Sequence, residues 1–220
     1  MTDTSATLNA RIHSMLPDAF LSAQTLPQCC DIKLWLVDPT PMQRRFSQDE
    51  ILAIQAHPAY WAFCWASGQV LARYILDNPE LVRNKRVMDF GAGSGVVAIA
   101  CVMAGAKKVI ACDIDPDARL SCQENAKLNN VEFELHGDLF EFKQDIDLLI
   151  AADVLYDKAN LPLLDVFLTK APEVLVADSR VKNFDFPPYQ TIGHIDSFTV
   201  PDLDELNEFR LVNLYKASRI

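Results

Sequence analysis

Apolar and polar positions along this chain switch between a period near two and a period near 3.6, and the switches mark its elements. Val87, Met88 and Phe90 form a short apolar run, and Gly91, Gly93 and Gly95 crowd the turn after it. Residues 96–103 are apolar with no helix breaker. Val109, Ile110 and Ala111 form a second short strand, closed by Asp113. Strand, glycine turn, helix, strand and carboxylate make half of a doubly wound nucleotide fold. Such a fold binds its ligand at the carboxyl ends of its strands. The alternation continues downstream. Residues 116–129 predict a helix with Pro116 in its first turn. Residues 131–135 alternate as a strand that ends in His136-Gly137-Asp138. Residues 146–151 predict a buried strand ending in Ala152-Asp153, residues 160–170 a helix, and residues 173–177 a strand ending at Asp178. Residues 189–195 and 209–215 read as two strands with little helix between them, so the sheet is expected to finish with an antiparallel pair.

Upstream of the glycine turn the pattern is weaker. Leu8, Ile12, Met15 and Leu16 share one helical face, which predicts a helix over residues 5–16 before Pro17. Residues 32–37 are rich in strand formers. Ser47-Gln48-Asp49-Glu50 is a capping-box signature ahead of Ile51-Leu52, with an end at His57-Pro58. An aromatic stretch follows, from Tyr60 through Trp61, Phe63 and Trp65. It leads into a helix with Val70, Leu71, Tyr74 and Ile75 on its apolar side, Ser67 as its expected N-cap and Asn78-Pro79 as its stop. The two tryptophans either wall the ligand site or pack this segment onto the core.

Composition narrows the class. The chain has 220 residues, half of them apolar, and a formal net charge of −10. That suits one domain with an extension, expected as residues 1–56 packed on a core domain of residues 57–220. Nucleic-acid partners need clustered Lys and Arg, so none is expected; a cationic cofactor or a basic protein segment fits the charge better. The six cysteines include no C-x-x-C pair and read as thiols of a reducing compartment. The N-terminal residues carry no signal or transit pattern, and no apolar run reaches membrane-spanning length. The cytoplasm is the expected location. His13, His57, His136 and His194 are scattered, so no metal is expected.

The glycine turn departs from the nucleotide fingerprints. A dinucleotide site needs G-x-G-x-x-G, and the third glycine position is Val96. There is no P-loop Gly-Lys-Ser/Thr. A negative charge at Asp89 would repel a pyrophosphate and favour a positive, phosphate-free ligand, a description that S-adenosylmethionine meets. Asp113 lies 113 − 95 = 18 residues after the last glycine, where a carboxylate accepts ribose hydroxyls. Asp138 is placed to accept an adenine amino group. Asp89, Asp113, Asp138 and Asp153 stand at successive strand ends.

The motifs V-M-D-F-G-A-G-S-G, V-I-A-C-D-I-D-P and G-D-L-F resemble the cofactor motifs of the class I (seven-β-strand) methyltransferases. The resemblance implies a Rossmann-like α/β fold: a mostly parallel sheet of order 3-2-1-4-5-7-6 with helices on both faces. It implies cofactor contacts from Asp89, Gly91, Ala92 and Gly93, then Gly95, Asp113 and Ile114, and from Asp138 and Leu139. Residues 57–80 and the stretch A-A-D-V-L-Y-D at 151–157 are similar to protein-lysine methyltransferases that act on the electron transfer flavoprotein β subunit. That similarity adds Trp65 and Ala152 to the cofactor pocket. It also matches Asp153 and Tyr156 to the family's [DE]-x-x-[YF] motif, which implies that they serve lysine methylation. It covers roughly residues 45–180. Other readings are a class I methyltransferase for a small-molecule amine or for another protein such as a ribosomal protein, and a non-catalytic cofactor-binding scaffold. Phe186-Pro187-Pro188-Tyr189 is similar to the N/D-P-P-Y motif of other amino-group methyltransferases, but it lies too late in the chain and is expected to be a turn.

Overall fold

In the computed structural model, residues 4–181, 184–202 and 206–219 are described. The sheet grows outward from β3 (Arg86–Phe90), which pairs in parallel with β4 (Lys108–Cys112) on one side and β6 (Leu148–Ala152) on the other. Beyond β4 lies β5 (Glu134–His136), and beyond β6 lies β7 (Glu173–Asp178), both parallel. The last two strands, β8 (Gln190–Asp196) and β9 (Leu211–Ser218), are antiparallel, and β9 sits between β7 and β8. Counted within this seven-stranded sheet, the order is 3-2-1-4-5-7-6, as expected from the resemblance.

The central strands are buried along almost their whole length, because helices cover both faces of a parallel sheet. Helices α3 (Ala66–Asp77) and α4 (Val96–Met103) share one core with Val87, Leu148 and Ile150. Helix α6 (Leu163–Lys170) covers the other face through Phe167, among Met88, Leu149 and Val176. Successive side chains of a strand point to opposite faces. Val87 and Asp89 therefore face α4, while Met88 and Phe90 face α6, where Phe90 meets Phe167 edge-on at 5.0 Å between ring centroids. The strand order reverses at β3, and this switch point is where an open α/β sheet leaves a crevice at its carboxyl ends.

The N-terminal elements pack on α5 (Pro116–Leu128). They are α1 (Thr4–His13) and a hairpin of β1 (Leu21–Thr25) and β2 (Lys33–Val37). Asn125 Oδ1 accepts from the Trp35 amide at 2.7 Å, and Asn129 both accepts from and donates to the backbone of Lys33. Helix α2 (Gln48–Ala56) starts at the expected capping box, with Ser47 and Glu50 bonded reciprocally.

Several expectations shift. β1 has no counterpart in the pattern reading: Leu21-Ser22-Ala23-Gln24-Thr25 buries only Leu21 fully and carries few β-formers. Helix α3 begins at Ala66, so its N-cap is Trp65 and Ser67 sits one turn position inside. Strand β5 covers Glu134–His136 rather than 131–135, because Val131 and Phe133 pack against the core without pairing to β4. Helix α6 starts at Leu163, after a 3₁₀ turn at Lys158–Asn160.

Candidate functional site

The carboxyl ends of β3 to β6 open onto a cleft of about 790 Å³. Its floor is the glycine turn. Gly91, Gly93 and Gly95 all have positive φ, at +67°, +51° and +79°. An added Cβ at Gly93 would meet nothing nearer than 3.9 Å, so this glycine leaves room on the cleft side. At Gly95 a Cβ would lie 3.2 Å from Cys122 Cα, so that glycine lets α4 approach α5.

Asp113 anchors the turn. Its Oδ2 accepts from the Gly93 amide at 2.9 Å and its Oδ1 from the Asp115 amide at 3.0 Å. Burial pushes its carboxyl above the usual carboxylate range, against those two bonds. Each oxygen of an ionised carboxylate has two acceptor sites, so one remains on each for a ligand. Asp138 lines the same wall, with Oδ1 bonded to the Phe140 amide at 2.7 Å. Ile114 and Phe140 stand at the mouth, 82% and 57% exposed, with Leu139 buried behind them. These are apolar plates beside two acceptors, a setting for a nucleoside.

Trp65 and Ala152 also border the cleft, as expected. Trp61 is buried among Leu8, Ile12 and Leu21 and also borders the cleft. It serves mainly as packing.

Asp89, Ala92 and Gly95 do not line the cleft. Asp89 lies behind the turn, 2% exposed, and its Oδ2 accepts from the Ala98 amide at 3.0 Å, in the first turn of α4. Burial raises its carboxyl to about 8, so it is mostly neutral at pH 7. The expectation that a negative Asp89 repels phosphate is therefore corrected: strand alternation turns the group away from the cleft, and burial disfavours its charge. Ala92 is buried in the core.

The far wall carries Asp153 and Tyr156. Asp153 follows β6 in a left-handed conformation, and its carboxylate reaches across to α3. Ser67 donates to it twice, from its amide to Oδ2 at 3.0 Å and from Oγ to Oδ1 at 2.6 Å. Ser179 Oγ adds a bond to Oδ1 at 3.2 Å. Burial raises the Asp153 carboxyl to about 6; the Ser67 bonds oppose the rise and Asp178 adds to it. Tyr156 is 58% exposed and its ring lies 5.6 Å from that of Tyr60, which in turn packs edge-on against Trp65 at 5.9 Å. Burial raises the Tyr156 hydroxyl above its ordinary range. Arg180 closes this end, with its guanidinium 3.8 Å over the Phe209 ring and 5.8 Å from Trp65.

Sequence reasoning did not assign Tyr60, Phe140, Ser67, Ser179 or Arg180 to the site; Ser67 was expected only as a helix cap. The strand-end rule that found Asp153 would also have found Ser179-Arg180, which follow β7. Tyr189 of the proline motif donates to Leu164 O at 2.6 Å and is buried away from the cleft, as its turn assignment requires. Among the described residues there is no cluster of metal-ligating side chains.

The family described as Ribosomal protein L11 methyltransferase (PrmA) matches residues 70–160. The electron transfer flavoprotein beta subunit lysine methyltransferase of Mus musculus is 42% identical over 127 residues, covering 54% of this chain and 50% of that protein. The chain spans about half the length of the curated relatives it matches. Among solved structures, the ribosomal protein L11 methylase of Lactobacillus delbrueckii subsp. bulgaricus superposes with a TM-score of 0.50 at 23% identity, covering 70% of this chain and 79% of that one. SMU.776, solved as a complex with SAH, gives a TM-score of 0.52 at 11% identity, covering 68% and 49%. These superpositions show the fold: the Rossmann-like α/β fold of methyltransferases.

Proposed function

We propose that this chain is an S-adenosylmethionine-dependent protein-lysine N-methyltransferase, with the electron transfer flavoprotein β subunit as its first candidate substrate. One observation carries the reading: an acid and a tyrosine, Asp153 and Tyr156, face the same cleft as the Asp113–Gly93 turn, in a chain 42% identical to a lysine methyltransferase over the matched region. The residues present suit the cofactor. Asp113 would hold the ribose hydroxyls, Asp138 the adenine amino group, and Ile114, Leu139 and Phe140 the faces of the base. The glycine turn brings no lysine or arginine to the cleft, and Arg119 is held by the carbonyls of Asp113 and Ile114. A phosphate-free ligand fits this better than a dinucleotide. Residues 57–220 form the catalytic domain in this reading, and residues 1–56 an extension packed on it.

The cofactor, when bound, supplies a methyl group on a cationic sulfur and so an activated leaving group. The protein's part is to orient and desolvate the amine. A free lysine has a pKa near 10.4, so at pH 7 only about one in 2,500 is neutral, a deficit of roughly 4.6 kcal/mol. Tyr60, Trp65 and Tyr156 give the amine an aromatic surround that lowers its pKa by desolvation. With its own carboxyl near 6, Asp153 is ionised at pH 7 and accepts an N–H of the amine, fixing its approach. The rings also tolerate the methylammonium product through cation–π attraction.

The match to the ribosomal protein L11 methyltransferase family supports a ribosomal substrate as a second reading, but it covers the cofactor half and part of the far wall, not the chain's ends. The net charge of −10 favours a basic protein segment over nucleic acid as the partner. All six cysteines are free, and no helix among the described residues is long and apolar enough to cross a membrane. The cytoplasm is the compartment we infer. The reading is tested with Asp153→Ala: methyl transfer to lysine is expected to vanish while cofactor affinity stays within about twofold. Normal turnover in that variant would remove Asp153 from the chemistry.

A further inference from the structure

Asp153 is not aimed by β6 alone. Its backbone has φ 52° and ψ 32°, a conformation that Asp tolerates better than most residues, and its amide donates to Ala177 O at 3.0 Å. From there the side chain spans to the first turn of α3. Ser67 is fully buried at the second position of that helix, where the backbone N–H has no partner within the helix. That N–H goes to Asp153 Oδ2, and the Ser67 hydroxyl goes to Oδ1. Ser179, also buried, gives Oδ1 its second donor. Among the described residues Oδ1 is thus saturated, whereas Oδ2 keeps one acceptor site on a residue that lines the cleft.

We propose that Ser67 is the positioning residue of Asp153: its paired donors hold the carboxylate ionised and leave Oδ2 as the one oxygen open to the substrate amine. The proposal rests on the assignment of Asp153 to lysine methylation. Ser67 does not touch substrate; it acts through Asp153. Its position had the look of a helix cap, yet its hydroxyl serves a carboxylate 86 residues away. The other charged and titratable groups facing Asp153 are Asp178 at the end of β7, which opposes its ionisation, Arg180, which favours it, and the buried Cys64 thiol. Ser67 differs from them in holding the carboxylate by direct hydrogen bonds, at 3.0 and 2.6 Å.

The test measures the Asp153 carboxyl itself. Protein labelled with ¹³C at aspartate carboxyls is titrated by NMR, with the Asp153 signal assigned by its loss in Asp153→Asn. In Ser67→Ala the midpoint is expected to rise by roughly one unit, since a bond to the charged form is lost. Ser67→Thr, which keeps a hydroxyl, is expected to restore it. The acid limb of kcat should move by the same amount: a loss of several-fold near pH 6 that disappears by about pH 9, with KM for the cofactor unchanged. An unmoved midpoint in Ser67→Ala overturns the proposal, as does a moved midpoint with an unmoved acid limb in an active enzyme. If Ser67→Ala does not fold, Ser67→Cys takes its place, with a smaller upward shift expected from the weaker thiol donor and no shift refuting. If the midpoint moves in a protein that methylates no lysine, the positioning stands and the function assigned to the cleft fails.

Discussion

Replacing Asp113 with alanine separates a cofactor carboxylate from a structural one. In the structure this side chain holds two backbone amides, those of Gly93 and Asp115, and keeps one acceptor site on each oxygen for a ligand. A hydrogen bond to a charged group contributes about 1.5–3 kcal/mol. Two bonds to ribose hydroxyls therefore contribute about 3–6 kcal/mol, and their loss weakens binding by roughly a hundredfold to ten-thousandfold. Asp113 is partly exposed, so the lower end applies. Calorimetric titration with S-adenosylhomocysteine is expected to show at least a hundredfold rise in Kd for Asp113→Ala and about tenfold for Asp113→Asn, which keeps one acceptor oxygen. The wild-type affinity should also fall on acidification, starting above the ordinary carboxylate range, because burial raises this group. A folded Asp113→Ala protein that binds within threefold of wild type would show that this carboxylate does not hold the cofactor.

Three further outcomes follow from the same geometry. Gly95→Ala forces a Cβ to 3.2 Å from Cys122 Cα at φ +79°; overpacking and strain together should cost about 2–4 kcal/mol and lower the melting temperature by about 5–15 °C. An unchanged melting temperature would show that α4 and α5 have room to part. Asp89 has a folded-state pKa near 8, above its unfolded value, so its native proton stabilises the fold at low pH and that stability is lost as pH rises toward 8. Asp89→Asn should flatten the fall in unfolding free energy between about pH 4 and 8 by up to ~1.4 kcal/mol per pH unit, read by urea titration; an equally steep curve would show that Asp89 is charged throughout. Tyr156→Phe should keep most activity and Tyr156→Ala lose at least tenfold in kcat/KM for the protein substrate if the ring is what matters; equal losses in both would assign the role to the hydroxyl.

The sheet was legible because its strands obey a simple rule: parallel strands covered on both faces are short, continuous apolar runs, each ended by a glycine or an acid. Val87–Phe90 and residues 146–152 are of that kind. β1 was not legible, since a two-stranded hairpin resting on a helix needs few buried positions, and Leu21-Ser22-Ala23-Gln24-Thr25 supplies few. Asp89 shows where motif reading outran physics. Its place in the glycine motif suggested contact with the ligand, yet alternation with Val87 already directed it toward α4. Ser67 and Arg180 were hidden for another reason: each matters through a neighbour brought close only by folding, Asp153 in one case and the Trp65 and Phe209 rings in the other. Asp113, Asp138 and Asp153 line one cleft because strand ends converge on the switch point in any fold of this topology.

A cleft that moves a methyl group onto a protein lysine must leave its label there. The most direct measurement incubates the purified protein with its host proteome and methyl-labelled S-adenosylmethionine, then locates the label by peptide mass spectrometry. Label is expected on the ε-amine of lysine in one or few proteins, the electron transfer flavoprotein β subunit first among them, and none with Asp153→Ala. Label found only in small metabolites or nucleic acid, or equal labelling by the variant, would contradict lysine methylation by this cleft.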